Sequence, residues 1–134
     1  MPGSDLVREL LDSLNRRDLD GVVATLHPDV EWFDQAAIPT EEPHRGTVAV
    51  RAHFQTWLDS WEELSYEIEE LIEDGDQIVL MLNRRARPTG GGDEVADRAA
   101  YVVAIRGDKI GSFAGYTTRD AAIEGAGLKD PHTA

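Results

Sequence analysis

Two aspartates stand where strand alternation can turn an acid toward an apolar interior. Asp34 closes the short strand-like run Val30-Glu31-Trp32-Phe33-Asp34 and shares a face with Val30 and Trp32. A carboxyl in such surroundings loses hydration, which raises its pKa toward the value a general base needs near neutral pH. The structural alternative for Asp34 is to cap the irregular loop that follows, or to pair with an arginine. Asp97 shares a face with Ala99, Tyr101, Val103 and Ile105. If both acids face inward, they can divide the general base and general acid roles. The alternative for Asp97 is solvent, because it lies near a hairpin tip.

Other chemistries find less in the chain. There are no cysteines, so thiolate nucleophiles, disulfides and zinc-thiolate sites are out. The histidines, His27, His44, His53 and His132, form no His-x-x-x-His pair with a completing acid, and no metal is expected. His27, before Pro28, reads as a capping or packing residue. No serine occupies a Gly-x-Ser-x-Gly elbow. Gly90-Gly91-Gly92 lacks the lysine and following helix of a phosphate loop and reads as a hairpin tip. Arg84, Arg85, Arg87 and Arg98 fall on strands, where they are expected to balance acidic neighbours rather than bind an anion.

The elements that must position these residues follow from periodicity. Leu6, Val7, Leu10, Leu11 and Leu14 form one helical stripe ending near Asn15, with Ser4 placed to cap it. Asp18 caps a second, short helix through Leu19, Val22, Val23 and Leu26, which Pro28 ends. Thr47 is expected to cap a third, whose stripe is Val50, Phe54, Trp57, Leu58 and Trp61. Aromatics at that spacing are more often core than ligand contacts. Strands are expected over Tyr66 to Ile72, Gln77 to Arg87, Val95 to Arg106 and Lys109 to Thr117, with turn signals between them. A short helix is expected over Asp120 to Glu124, and a loose tail from Gly125. Helices first and strands after give an α+β class, since no strand-helix-strand unit repeats.

At 134 residues the chain is sized for one domain, 1–134, with an ordered core over about 5–128. The net charge of -13, from 26 acids and 13 bases, repels phosphate backbones and anionic lipid, so neither nucleic acid nor membrane is an expected partner. Much of the excess lies between Asp59 and Asp76 and reads as a solvated face. With no basic-then-apolar start and no long apolar run, the expected location is cytoplasmic.

Four segments in order carry a family likeness: Leu14-Asn15-Arg16-Arg17-Asp18-Leu19-Asp20-Gly21, His27-Pro28-Asp29-Val30-Glu31-Trp32, His44-Arg45-Gly46-Thr47-Val48-Ala49-Val50-Arg51, and Gly107-Asp108-Lys109-Ile110. Together they resemble SnoaL-like and ketosteroid isomerase-like proteins of the nuclear transport factor 2-like superfamily, from about Asp5 to Leu128. The resemblance implies a cone: a curved antiparallel sheet wrapped around three N-terminal helices and enclosing a pocket, with homodimers formed through the outer sheet face. It places Asp34 at the position of a carboxylate base. It places Leu10 where related isomerases have an oxyanion-binding tyrosine, and Tyr101 where they have a neutral acid donating to the same oxygen, so steroid isomerisation does not carry over. The expected activity is cofactor-independent isomerisation, cyclisation, dehydration or hydration of a small apolar carbonyl or epoxide compound. The alternative is a binding protein for a hydrophobic metabolite. Trp32, Phe54, Trp57, Val103 and Phe113 would hold the ligand, and Tyr116, of opposite parity to Phe113, is the alternative inward residue. His44 lies in the loop that can cover the pocket.

Overall fold

The computed structural model describes residues 3–33 and 42–127. Asp34, the tail beyond Gly127 and the loop before Glu42 lie outside the described residues. Helix α1 (Gly3–Asn15) buries the expected leucine and valine stripe, and α2 (Leu19–Ala24) follows a two-residue turn. Strands β1 (Leu26–Phe33) and β2 (His44–Arg45) precede α3 (Gly46–Asp59). Four further strands, β3 (Trp61–Asp74), β4 (Gln77–Pro88), β5 (Val95–Arg106) and β6 (Lys109–Tyr116), lead to α4 (Arg119–Gly125).

The strands form one open sheet in the order β2-β1-β6-β5-β4-β3. All neighbours are antiparallel except β1 and β6, which run parallel. Register shifts interrupt β3 on either side of its first half, at Trp61/Glu63 and Ile68/Glu70, and another falls in the β5–β6 pair at Ala104/Ile105. An extra residue in one strand bends it and increases local twist, which is how a sheet of long strands curves into a cone. Its concave face carries Ile78, Leu80, Leu82, Val103, Ile110 and Phe113 against α1 and α3, in one core with Leu10, Val50 and Phe54.

Local capping explains both the agreements and the departures. Asp18 caps α2 as expected, its carboxylate accepting from Gly21 N–H at 3.0 Å. Ser4 lies inside α1, which already begins at Gly3, so it is not the cap. Thr47 is likewise inside α3, whose N-cap is Arg45, with no side-chain cap bond. Pro28 sits within β1, not after a longer helix, at the irregular stretch of the β1–β6 ladder between Leu26 and Glu31 where a missing N–H is tolerated. His27 is therefore a strand residue, and its Nδ1 accepts from Asp29 N–H at 3.0 Å.

Trp61 is the largest departure: it opens β3 rather than closing the α3 stripe. Ser60 ends the helix by donating through N–H and Oγ to Thr56 O, and the chain then turns. Arg17, the one described non-glycine residue at positive φ (58°), holds that turn. Its guanidinium donates to the carbonyls of Leu58, Trp61 and Glu62 at 2.9, 2.5 and 3.0 Å. One side chain thus joins the α1–α2 turn to the α3–β3 junction.

On the convex face α4 packs over Val79, Met81 and Ala100 through Ala122 and Ile123. Thr118 caps it, and Arg119 clamps it to Glu70 of β3 with two bonds of 2.5 and 3.0 Å. The acids of β3 are met in the same way by Arg98 on Glu69 (2.6 Å) and Arg87 near Glu63 (3.7 Å), as a solvated charged face requires. The expected pairing surface on the outer sheet is thus partly covered by the chain's own helix. Among the described residues no helix is long and apolar enough to cross a membrane.

Replacing Arg17 with glycine keeps the positive φ unstrained and removes only the side chain. Arg17→Gly is expected to lower unfolding free energy by about 1–2 kcal/mol in urea denaturation, from the lost charge-assisted bonds. A change near zero would show that solvent replaces them without cost.

Candidate functional site

The sheet's alternation determines what reaches the space between β1, β3, β4, β5 and α3. In β4, Arg84 follows Leu80 and Leu82 on the concave face. Register then aligns Tyr66 of β3 with Arg84, and Arg84 with Asp97 of β5, in one cross-strand row. Tyr101 lies four residues further along β5, on the same face. A second row aligns Trp32, Phe113, Val103 and Ile78 across β1, β6, β5 and β4.

The two rows bound a cavity of about 230 Å³. Its apolar wall is Trp32 of β1 with Phe54 and Trp57 of α3. Trp32 stacks on Phe113 at 4.0 Å and 3°, and meets Phe54 edge to face at 4.4 Å and 77°. Tyr101 leans on Phe113 at 4.7 Å. Each such pair contributes about 0.5–1.5 kcal/mol beyond area burial, so the wall is held rigid. Opposite it, Tyr66, Arg84 and Tyr101 make the polar lining, and His53 of α3 adds an imidazole.

The polar lining is wired. Arg84 donates through Nε and Nη2 to the two carboxylate oxygens of Asp97 at 2.8 and 2.6 Å, and through Nη1 to Tyr101 Oη at 3.2 Å. Trp57 Nε1–H donates to Tyr66 Oη at 2.8 Å. Burial pushes the Tyr66 phenol up to about 12, with the Tyr101 phenol adding to the rise and the Trp57 bond opposing it. The Arg84 bond holds the Asp97 carboxyl below the usual carboxylate range, against a smaller effect of burial. Asp97 in turn raises Arg84 further above its ordinary value, so the pair is fully ionised.

Among the expected site residues, Trp32, Phe54, Trp57 and Tyr101 line the cavity, and Phe113 and Val103 stand behind its wall. Asp97 is on the expected face, but its side chain is 49% exposed and bound to Arg84. It stands there as an ionised acceptor of the Arg84 donors, where the sequence leaves it sharing general base and general acid roles with Asp34 if both face inward. Tyr116 is corrected, because its parity puts it on the convex face, against α4 at Gly125 and beside Ile123. His44 stacks on His53 at 4.1 Å and 21°, one residue removed from the cavity. Asp34 follows β1 in sequence and lies outside the described residues.

Three lining residues were not expected from the sequence: His53, Tyr66 and Arg84. Arg84 does balance an acid, as its strand position implies, but it does so at the cavity, on the face that alternation with Leu80 and Leu82 turns inward. Tyr66 carried the same signal through Ile68, and His53 through Trp57 one helical turn on. Among the described residues no three His, Cys, Asp or Glu side chains come together to hold a metal ion.

The SnoaL-like domain family matches residues 7–113. The chain belongs to the SnoaL-like domain family. Solved structures agree on the fold. A nuclear transport factor 2-like protein of unknown function from Burkholderia pseudomallei superposes with a TM-score of 0.75 at 25% identity, over 90% of this chain and 94% of that one. TerC, co-crystallised with polyporic acid, gives a TM-score of 0.76 at 18% identity, over 92% and 97%. A Mycobacterium tuberculosis protein in complex with estradiol-17beta-hemisuccinate gives 0.72 at 20%, over 86% and 92%. No curated protein matches the chain. At these identities the neighbours establish the cone of the SnoaL-like domain and leave its chemistry to the residues.

The raised Tyr66 phenol has a measurable consequence. Unfolded, it ionises near 10, and folded near 12, so its contribution to stability is full below pH 10 and is lost as pH rises toward 12. Ultraviolet titration of phenolate should show a late step that Tyr66→Phe removes, and the variant should lose less stability across that range. Ionisation of all three tyrosines together near pH 10 would contradict the burial.

Proposed function

We propose that this SnoaL-like domain binds a small apolar ring compound in the Trp32–Phe54–Trp57 cavity and performs cofactor-independent proton transfer on it. Asp34 is the base, and Tyr101 donates to the oxygen on which charge develops. The observation that carries this reading is the joining of a rigid aromatic wall to a hydrogen-bonding edge within one cavity. Asp34 enters this reading from the sequence, where it stands two residues after Trp32, which is only 6% exposed in the cavity wall, and from the family likeness that gives its position a carboxylate base. A carboxylate that faced such a wall would lose hydration, which raises its pKa toward the value a base needs near neutral pH. Asp97 serves by holding Arg84. The neighbours that bind polyporic acid and estradiol-17beta-hemisuccinate support a ring-bearing ligand. Isomerase, cyclase, dehydratase and epoxide hydrolase activities all remain within this class.

The second reading is a binding or accessory protein for a hydrophobic metabolite. It is favoured by the engagement of Asp97 with Arg84, which leaves Asp34 as the sole acid proposed for catalysis. Both readings place the protein in the cytoplasm and allow pairing of two copies across the outer sheet beyond α4.

The test is exchange of the α-hydrogens of β-tetralone for deuterium, followed by NMR. Asp34→Asn should slow the protein-dependent rate by about 10²- to 10⁴-fold while changing ketone affinity less than about threefold. Tight binding with no exchange above solvent in the native protein would instead establish the binding role.

A further inference from the structure

One row of the sheet beyond Tyr66, Arg84 and Asp97, register aligns Leu64 of β3 with Ala86 of β4, and Ala86 with Val95 of β5. Each stands two residues from its counterpart in the polar row, so all three share that row's face. The change of row is a change of chemistry, from wired polar groups to small apolar ones. Over it lie Trp57 from the end of α3 and Trp61 from the start of β3, in edge contact at 5.6 Å and 66°. With Arg84 and Asp97 these residues enclose a second, smaller space of about 40 Å³. Trp57 and Arg84 also line the main cavity, so the two spaces share those side chains as a wall.

The two indoles differ in one respect. Trp57 Nε1–H donates to Tyr66 Oη at 2.8 Å, whereas Trp61 Nε1 is buried and no described group accepts from it. A donor removed from water without a partner is destabilising, and such groups are few in folded proteins. Gln77 Oε1, the other buried side-chain atom left unmet, lines neither space. Arg17 fixes the main chain at Trp61 through its carbonyl oxygen, which sets where β3 begins. The rest of the lining narrows what can meet the indole. Leu64, Ala86 and Val95 carry no side-chain acceptor, and the Asp97 carboxylate on the rim disfavours an anion. Size sets a further limit: a water-sized group takes ~10–15 Å³, so about 40 Å³ takes two or three heavy atoms.

We propose that this annex is a substituent subsite, in which a ring compound bound in the main cavity sends a small neutral acceptor group, of the methoxy kind, between Trp57 and Arg84 to receive the Trp61 indole N–H. The inference rests on the pocket reading above and is independent of Asp34. It defines the ligand by a substituent away from the reacting centre, and it makes Trp61 a specificity residue, since a ligand without the acceptor leaves that donor unmet.

The test titrates the native protein with naphthalene, ethylnaphthalene and methoxynaphthalene, reading affinities and the indole N–H signals by proton–nitrogen correlation NMR. Ethyl and methoxy have nearly the same shape, so their difference isolates the ether oxygen. Trp61→Phe keeps an aromatic ring, removes the N–H, and identifies its signal among those of the three tryptophans. The native protein is expected to bind methoxynaphthalene about fivefold more tightly than ethylnaphthalene, as one net hydrogen bond allows. The Trp61 N–H proton should move downfield of its position with ethylnaphthalene. Trp61→Phe should bring the two affinities together and leave naphthalene unchanged. Ala86→Val, a strand-compatible change that fills the annex, should weaken both substituted probes several-fold and spare naphthalene. Equal affinity for the ethyl and methoxy probes in the native protein overturns the subsite and leaves the pocket reading standing. So does a Trp61 N–H that is already hydrogen-bonded in the free protein and unmoved by methoxynaphthalene, which would show that water holds it. Substituted probes that Ala86→Val leaves unaffected would place the substituent elsewhere and overturn the subsite as well. Binding of none of the three probes overturns the pocket reading and this inference together.

Discussion

A β4 strand of 12 residues extends about 40 Å, whereas an α1 helix of 13 residues extends about 20 Å. However it is laid, α1 can cover only part of the concave face, and most of what the site does follows from that mismatch. Where the helix lies, the sheet is filled with Ile78, Leu80 and Leu82, all at or below 1% exposure. Further along the same strand and the same face stands Arg84, and with it the cavity. The bent sheet encloses that end without filling it, because the bulges in β3 curve it around helices too short to fill the cone.

A half-enclosed space of this kind restricts which polar groups survive in it. An arginine partly removed from water is destabilising unless its charge is paired and its donors are met. Asp97 meets both requirements with a two-bond contact, and Tyr101 takes a further donor. Tyr66 is satisfied in the same manner by Trp57. The polar lining is therefore a connected set, Asp97–Arg84–Tyr101 and Trp57–Tyr66, in which each member's orientation depends on its neighbour. Such sets are preorganised, and preorganised donors stabilise developing charge without reorganising at the moment of reaction.

The opposite face of the sheet obeys a different constraint. Val79, Met81 and Ala100 alternate outward by the same parity that sends Leu80 and Leu82 inward, and water must be excluded from them too. The chain does this with α4, a helix of 7 residues too short to be stable alone, held by its Thr118 cap and the Arg119–Glu70 clamp. Tyr116 is committed to that packing, which is why it is absent from the cavity.

The three N-terminal helices and the long hairpins were legible in the chain because each depends on spacing within one segment, and the α+β class and the likeness to the SnoaL-like domain because they depend only on the order of such segments along it. The apolar wall was legible too, since Trp32, Phe54 and Trp57 follow the periods of their own strand and helix. The parity of Phe113 and Tyr116 separated inner from outer face, and tertiary structure only decided which was which. What no single segment contains is register. That Tyr66, Arg84 and Asp97 share a row depends on the lengths of two turns and on a bulge after Ile68. The end of α3 before Trp61 likewise depends on Arg17, more than forty residues away in sequence. Local periodicity is written residue by residue and can be read from the sequence. Pairing between distant segments is a property of the closed fold, so the wiring of the polar lining became visible only there.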